Sequence, residues 1–118
     1  MDNETRGVCL IINNEHFYDQ NQKEIIDLRR YGTDMDASRL KNLFEQLKFH
    51  VKFELDLTEE QLRQTIQQFA RDCEMYNYQA ICLIILSHGT DGYIYGSDFE
   101  NKINVSEHFI EMFFESIF

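Results

Sequence analysis

Val8-Cys9-Leu10-Ile11-Ile12 is an unbroken apolar run of strand length. Without alternation, such a run predicts a strand buried on both faces. Asn13-Asn14 is expected to break it. From Glu15 to Tyr31 the chain is polar and charged without a period, which predicts a long loop. Thr33 then opens a predicted helix whose apolar positions, Met35, Leu40, Leu43, Phe44 and Leu47, mostly follow helical spacing. Thr33 or Asp34 is expected to accept its orphan N–H bonds, and Asp34 and Asp36 suit its positive end. From Phe49 the period switches to two: Phe49, Val51, Phe53, Leu55 and Leu57 alternate with His50, Lys52, Glu54 and Asp56. That pattern predicts a half-buried strand at a sheet edge.

Thr58-Glu59-Glu60-Gln61 is a capping box, and Leu62, Ile66, Phe69, Ala70 and Cys73 form the apolar stripe of the helix behind it. Ala80 to Leu86 is a second wholly apolar strand, running directly into Ser87-His88-Gly89. Asp91-Gly92 signals a turn before a short strand, Tyr93-Ile94-Tyr95. Asn104, with Glu107 three residues on, is expected to cap a last helix with the stripe Val105, Phe109, Ile110, Phe113, Phe114 and Ile117. The order βαβαβ predicts an α/β fold of three layers, a mainly parallel sheet flanked by helices. Three principal strands make a thin sheet, and the Ala80–Leu86 strand would lie at or near an open edge with no charge, proline or bulge to protect it. The expectation is that residues 1–118 form part of a larger domain or pair with another chain.

Composition narrows the classes. Apolar residues make up 43% of the sequence, enough for a packed core. The net charge of −10 argues against a nucleic-acid partner, because phosphate binding needs a basic face. No apolar run reaches the roughly 18 residues of a membrane helix, and Met1 to Arg6 lacks a signal peptide's apolar stretch. Three cysteines, Cys9, Cys73 and Cys82, read as free thiols in a reducing compartment, so a cytoplasmic protein is expected. No CxxC or HxxxH spacing occurs, so no metal site is expected, and no cofactor.

Ligands of open α/β sheets bind at the carboxyl ends of the strands. Two buried strands deliver Asn13-Asn14 and Ser87-His88-Gly89 there. His88 ends an apolar strand and enters a cluster formed by Gly89, Gly92 and Gly96. An imidazole so placed suits a general base, and equally a plain strand-end cap. Gly89 permits a backbone whose N–H points at a developing oxyanion. No nucleophile accompanies them. Cys82 lies six residues before His88, about 20 Å along a strand. Cys9 and Cys73 fall on apolar faces, and the Ser87 side chain points opposite to that of His88. Arg29-Arg30 offers positive charge for a carboxylate, or pairs with Asp27 or Asp34 as a solvated loop charge.

Three segments together resemble the caspases. Arg6 to Phe17 resembles their opening strand, especially in initiator-type members. Arg30-Tyr31-Gly32-Thr33-Asp34-Met35-Asp36-Ala37 is similar to their R-x-G-T-D-x-D-A segment. Leu86-Ser87-His88-Gly89 with Gly92, Ile94, Tyr95, Gly96, Ser97 and Asp98 is similar to their S-H-G-x-x-G-x-I-x-G-x-D stretch. The resemblance implies a six-stranded, mainly parallel sheet and cleavage of peptide bonds after Asp. It implies His88 as the catalytic histidine, Gly89 as an oxyanion-hole donor, and Arg30 in the pocket for the substrate Asp. The family's nucleophile lies in a Q-A-C-x-G segment about 50 residues after that histidine, whereas this sequence ends at Phe118. Residues 1–118 are therefore expected to be a partial large subunit, inactive alone for want of that cysteine. Its expected partners are protein substrates with Asp before the cut, a caspase small subunit or a full-length caspase, and neither nucleic acid nor membrane. The alternative is a catalytically dead caspase-like regulator that binds a full-length caspase. A phosphoacceptor receiver domain fails, because the strand ends carry Asn13, Asn14 and His88 in place of clustered carboxylates.

Overall fold

The computed structural model describes residues 6–76 and 78–105. Its main sheet has three parallel strands: β1 (Gly7–Asn13), β2 (Phe49–Leu55) and β3 (Ile81–Leu86), in the order β2-β1-β3. The wholly apolar first run is the central strand, buried at every position. Register pairs Cys9 with Val51 and Cys82, and Asn13 with Leu55 and Leu86, so the three strands end together. Helix α1 (Thr33–Gln46) covers one face and α2 (Glu59–Tyr76) the other. The three-layer α/β expectation holds.

The core lies between the sheet and α2. Val8, Leu10 and Ile12 meet Leu62, Ile66, Phe69 and Cys73 of the predicted stripe. Burying side chains of this size contributes roughly 1.5–3 kcal/mol each. The capping box closes in both directions: the Thr58 amide donates to Gln61 Oε1 at 3.0 Å, and the Gln61 amide to Thr58 Oγ1 at 3.2 Å. Among the described residues, strand β3 is an edge, half-buried along its whole length and without the two-sided cover of β1. Residues 89–104 build a second, antiparallel sheet, β4 (Gly89–Thr90), β5 (Tyr93–Tyr95) and β6 (Lys102–Asn104).

Several expectations change. Asn13 does not break β1 but completes it, and both asparagines are buried among partners. Helix α1 starts behind Gly32 at φ 84°, with no side-chain cap, because the Thr33 hydroxyl donates to Asn13 Oδ1 instead. Its inward stripe is Thr33, Ala37, Leu40 and Phe44, while Met35, Leu43 and Leu47 are exposed. The small Thr33 and Ala37 bring the helix close to the sheet, which leaves room for only a narrow stripe beneath it. Leu55 is exposed and Leu57 buried, since Asp56 at φ 50° turns the chain between them. The segment from Glu15 to Tyr31 is a built loop, with a Tyr18–Glu24 bridge, a 3-10 turn at Ile26–Leu28 and a fully buried Phe17. Strand β6 occupies residues expected only to lead into a helix, and the expected stripe from Phe109 to Ile117 lies outside the described residues.

Candidate active site

The carboxyl ends of β1 and β3 meet the 15–31 loop at one rim, and the adjacent asparagines hold the junction. Asn14 Oδ1 accepts the buried Leu57 amide at 2.8 Å, and its Nδ2 donates to Ser87 Oγ at 3.3 Å. Asn13 Oδ1 accepts from Thr33 Oγ1 at 2.9 Å and from Arg30 Nη1 at 3.3 Å. Asp56 stitches the loop to the sheet: its Oδ1 accepts the amides of Glu15 at 2.8 Å and His16 at 3.1 Å, while its own amide donates to the Asn13 carbonyl.

His88 stands at the end of β3 with Nε2 2.6 Å from the Leu28 carbonyl oxygen. A carbonyl only accepts, so this contact puts a proton on Nε2, and in the neutral imidazole Nδ1 then carries the lone pair. The imidazole packs 4.8 Å from the Phe17 ring, centre to centre, and 6.1 Å from Phe99. Gly89 opens the hairpin. Tyr95 N donates to the His88 carbonyl, and Thr90 faces Tyr93 across the two-residue turn. Between these hydrogen-bonded pairs, Gly89 is at the alternating position whose N–H points away from β5. A Cβ at Gly89 would lie 2.6 Å from the Tyr93 carbonyl oxygen, so the close hairpin requires glycine there.

Arg30 comes to the same rim, two residues after the carbonyl that holds His88. Its Nη1 donates to the Asn14 carbonyl at 3.0 Å as well as to Asn13 Oδ1. Desolvation pulls this guanidinium below its ordinary value, while Asp36 and Glu15 work in the other direction. A guanidinium has five N–H donors, and these bonds engage one of its nitrogens. Arg29 is the arginine of the solvated-charge reading, but its partner is Glu15 at 3.2 Å rather than Asp27 or Asp34. His16 sits 2.6 Å from Glu24 beside that pair.

None of the three thiols reaches the rim. Cys9 and Cys82 face each other in register, four positions before the strand ends, roughly 13 Å away at about 3.3 Å per residue. Burial, followed by its neighbour Cys82, pushes the Cys9 thiol up to about 12. Burial likewise raises Cys73 on α2 to about 11, and all three are free. Thiols raised in this way, Cys9 and Cys73, are inert as nucleophiles near neutral pH. Among the described residues no group of three or more His, Cys, Asp or Glu side chains is arranged to hold a metal ion, and no helix is long and apolar enough to cross a membrane.

The rest of the glycine-rich stretch is architectural. A Cβ at Gly96 would collide with the backbone of Thr58 and Glu59, and Asp98 Oδ1 accepts the Glu59 amide at 3.3 Å. The second sheet is thereby bolted to the start of α2. Sequence reasoning named His88, Gly89 and Arg30 but missed Leu28, Asp56, Phe17 and Phe99. Leu28 acts through a backbone carbonyl and so leaves no side-chain signal. A lone carboxylate after a strand, as at Asp56, was the available hint of a loop anchor.

The structure therefore brings an imidazole and a guanidinium to one rim of a parallel sheet. The sequence profile of the caspase domain matches residues 6–116. The chain is 37% identical to caspase-3 of Mesocricetus auratus and to caspase-3 of Felis catus, each over 98 residues, covering 83% of this chain and 34% of the relative. It is 36% identical to caspase-3 of Mus musculus over the same share of each. The chain belongs to the caspase-domain family. It spans about a third of the length of the curated relatives it matches.

Proposed function

We propose that this chain is part of the large-subunit portion of a caspase-type cysteine endopeptidase that cleaves after Asp, and that it contributes His88, Gly89 and Arg30. The contact between His88 Nε2 and the Leu28 carbonyl carries the proposal. With the proton held on Nε2, Nδ1 takes the proton of a cysteine thiol supplied outside this chain. The thiolate attacks the carbonyl carbon after Asp, and the carbonyl oxygen becomes an oxyanion facing the Gly89 N–H. On collapse, the C–N bond breaks and His88 returns its proton to the leaving amine, which leaves an acyl-enzyme for water to hydrolyse. Arg30, already anchored on Asn13 and Asn14, binds the substrate carboxylate. A bond of this charge-assisted kind is worth roughly 1.5–3 kcal/mol.

The chain alone is expected to cleave no Asp-containing peptide, because its thiols lie away from the rim. Mixing it with a caspase segment bearing the Q-A-C-x-G strand tests the roles. Cleavage is expected to appear, to vanish in His88→Ala and to lose its preference for Asp in Arg30→Ala. Complemented cleavage that survives His88→Ala refutes the assignment. The half-buried edge β3 also favours a second reading, in which the chain pairs with a full-length caspase as an inactive regulator. Inhibition of an active caspase by the chain, with no complementation, would select that reading. A caspase, a small subunit and proteins cleaved after Asp are the partners proposed, and the cytoplasm is the proposed location.

A further inference from the structure

The turn between the second sheet's strands β5 and β6 forces an aromatic residue into an unfavourable backbone conformation. Of the five non-glycine residues with positive φ among those described, Phe99 at φ 47° is the aromatic one. The Phe99 amide donates to the Gly96 carbonyl at 3.0 Å, and the Glu100 amide reaches back to the Asp98 carbonyl at 2.6 Å. That second bond spans three residues, so Phe99 is the centre of a γ-turn with positive φ, a rare and strained form. A bulky side chain crowds the backbone there, and glycine would fit without cost. Strain of this kind persists when the side chain is held for another reason, and it concentrates next to functional groups.

The contacts of the ring supply a reason. Phe99 stacks on Tyr95 at 4.5 Å and 22°, meets Phe17 edge-on at 5.9 Å, and meets the His88 imidazole edge-on at 6.1 Å. Phe17, fully buried, lies 4.8 Å from the same imidazole. Tyr95, behind Phe99, also donates its amide to the His88 carbonyl and accepts the Ser87 hydroxyl. Two aromatic rings thus confine an imidazole whose Nε2 lies 2.6 Å from the Leu28 carbonyl oxygen. We propose that Phe99 is a positioning residue for His88: its ring, presented by the strained turn, works with Phe17 to keep Nε2–H on the Leu28 carbonyl and Nδ1 turned toward an incoming thiol. This rests on reading His88 as the general base. Phe99 touches neither substrate nor reacting atoms in this scheme and acts through the imidazole.

The test uses the intact protein labelled with nitrogen-15 histidine. Nuclear magnetic resonance reads which His88 nitrogen carries the proton and how fast that proton exchanges with water. In the wild type the proton is expected on Nε2 and protected. Phe99→Leu and Phe99→Gly are expected to speed its exchange at least tenfold, and Phe99→Tyr to restore protection. Phe99→Gly relieves the backbone, so it is expected to melt no lower than Phe99→Leu while still losing protection. It carries the test if the leucine variant fails to fold. Unchanged exchange in Phe99→Gly, whatever happens to the melting temperature, overturns the role of Phe99 and leaves the His88 reading intact. A wild-type His88 protonated on Nδ1 instead overturns the general-base reading itself.

Discussion

Replacing Asn14 by alanine attacks the junction on which the rim is built. Asn14 is fully buried, and its Oδ1 is the acceptor for the Leu57 amide at 2.8 Å. Alanine leaves that buried donor without its partner, a loss of about 1–3 kcal/mol. The longer 3.3 Å bond to Ser87 Oγ adds ~0.5–1 kcal/mol. The sum is roughly 1.5–4 kcal/mol, a large share of the ~5–15 kcal/mol that stabilises an ordinary domain. With a urea m-value of about 2 kcal/mol per M, the unfolding midpoint should fall by ~0.7–2 M at unchanged slope. Ser87→Ala is the control, since it removes the weaker Asn14 bond and a bond to the Tyr95 carbonyl but leaves Leu57 satisfied. It should cost less than Asn14→Ala. The reasoning is wrong if Asn14→Ala costs under ~1 kcal/mol, or if Ser87→Ala costs more.

Gly96→Ala should destabilise by about 2–4 kcal/mol, because its Cβ meets the Thr58–Glu59 backbone and forces the start of α2 to move. Urea unfolding measures the loss, and faster amide exchange in the first turn of α2 locates it. Thr58→Ala removes the acceptor for the Gln61 amide and should cost about 1 kcal/mol in the same assay. Stability should fall as pH rises from about 9 toward 12. An unfolded cysteine loses its proton near 9.0, whereas folded Cys9 keeps its own to about 12 and Cys73 to about 11. In that window the unfolded state binds fewer protons and gains, while below it the two states are equally protonated. Cys73→Ala should flatten the decline, as followed by denaturation at stepped pH.

The elements legible in the sequence are those that bury regular apolar stripes. Val8 to Ile12 announced a strand covered on both faces, and it is the central one. Leu62, Ile66, Phe69, Ala70 and Cys73 announced α2, and Thr58 with Gln61 its start. The faces of helix α1 differ from its hydrophobic spacing, which gives weight to Met35 and Leu43, whereas close approach to a sheet selects Thr33 and Ala37. Strand β6 is three residues long, too short for a period, and Asn104 mimics a helix cap. At the rim, His88, Gly89 and Arg30 stood out by residue type and position. The Leu28 carbonyl is a group every residue carries, and the 15–31 loop is fixed by backbone bonds to Asp56 that no periodicity encodes.

Of the three parallel strands, the one earliest in the chain lies innermost. As the polypeptide leaves the ribosome, Val8 to Ile12 can pair on one side once Leu55 has emerged, but its other flank waits for Ile81 to Leu86. Until then a sticky β-ribbon faces the cell with a vacant side, a condition that invites foreign strands and the helpers that shield them. Nascent chains stalled before Leu86 clears the exit tunnel should therefore be cut readily by added protease, and those stalled well after it should resist.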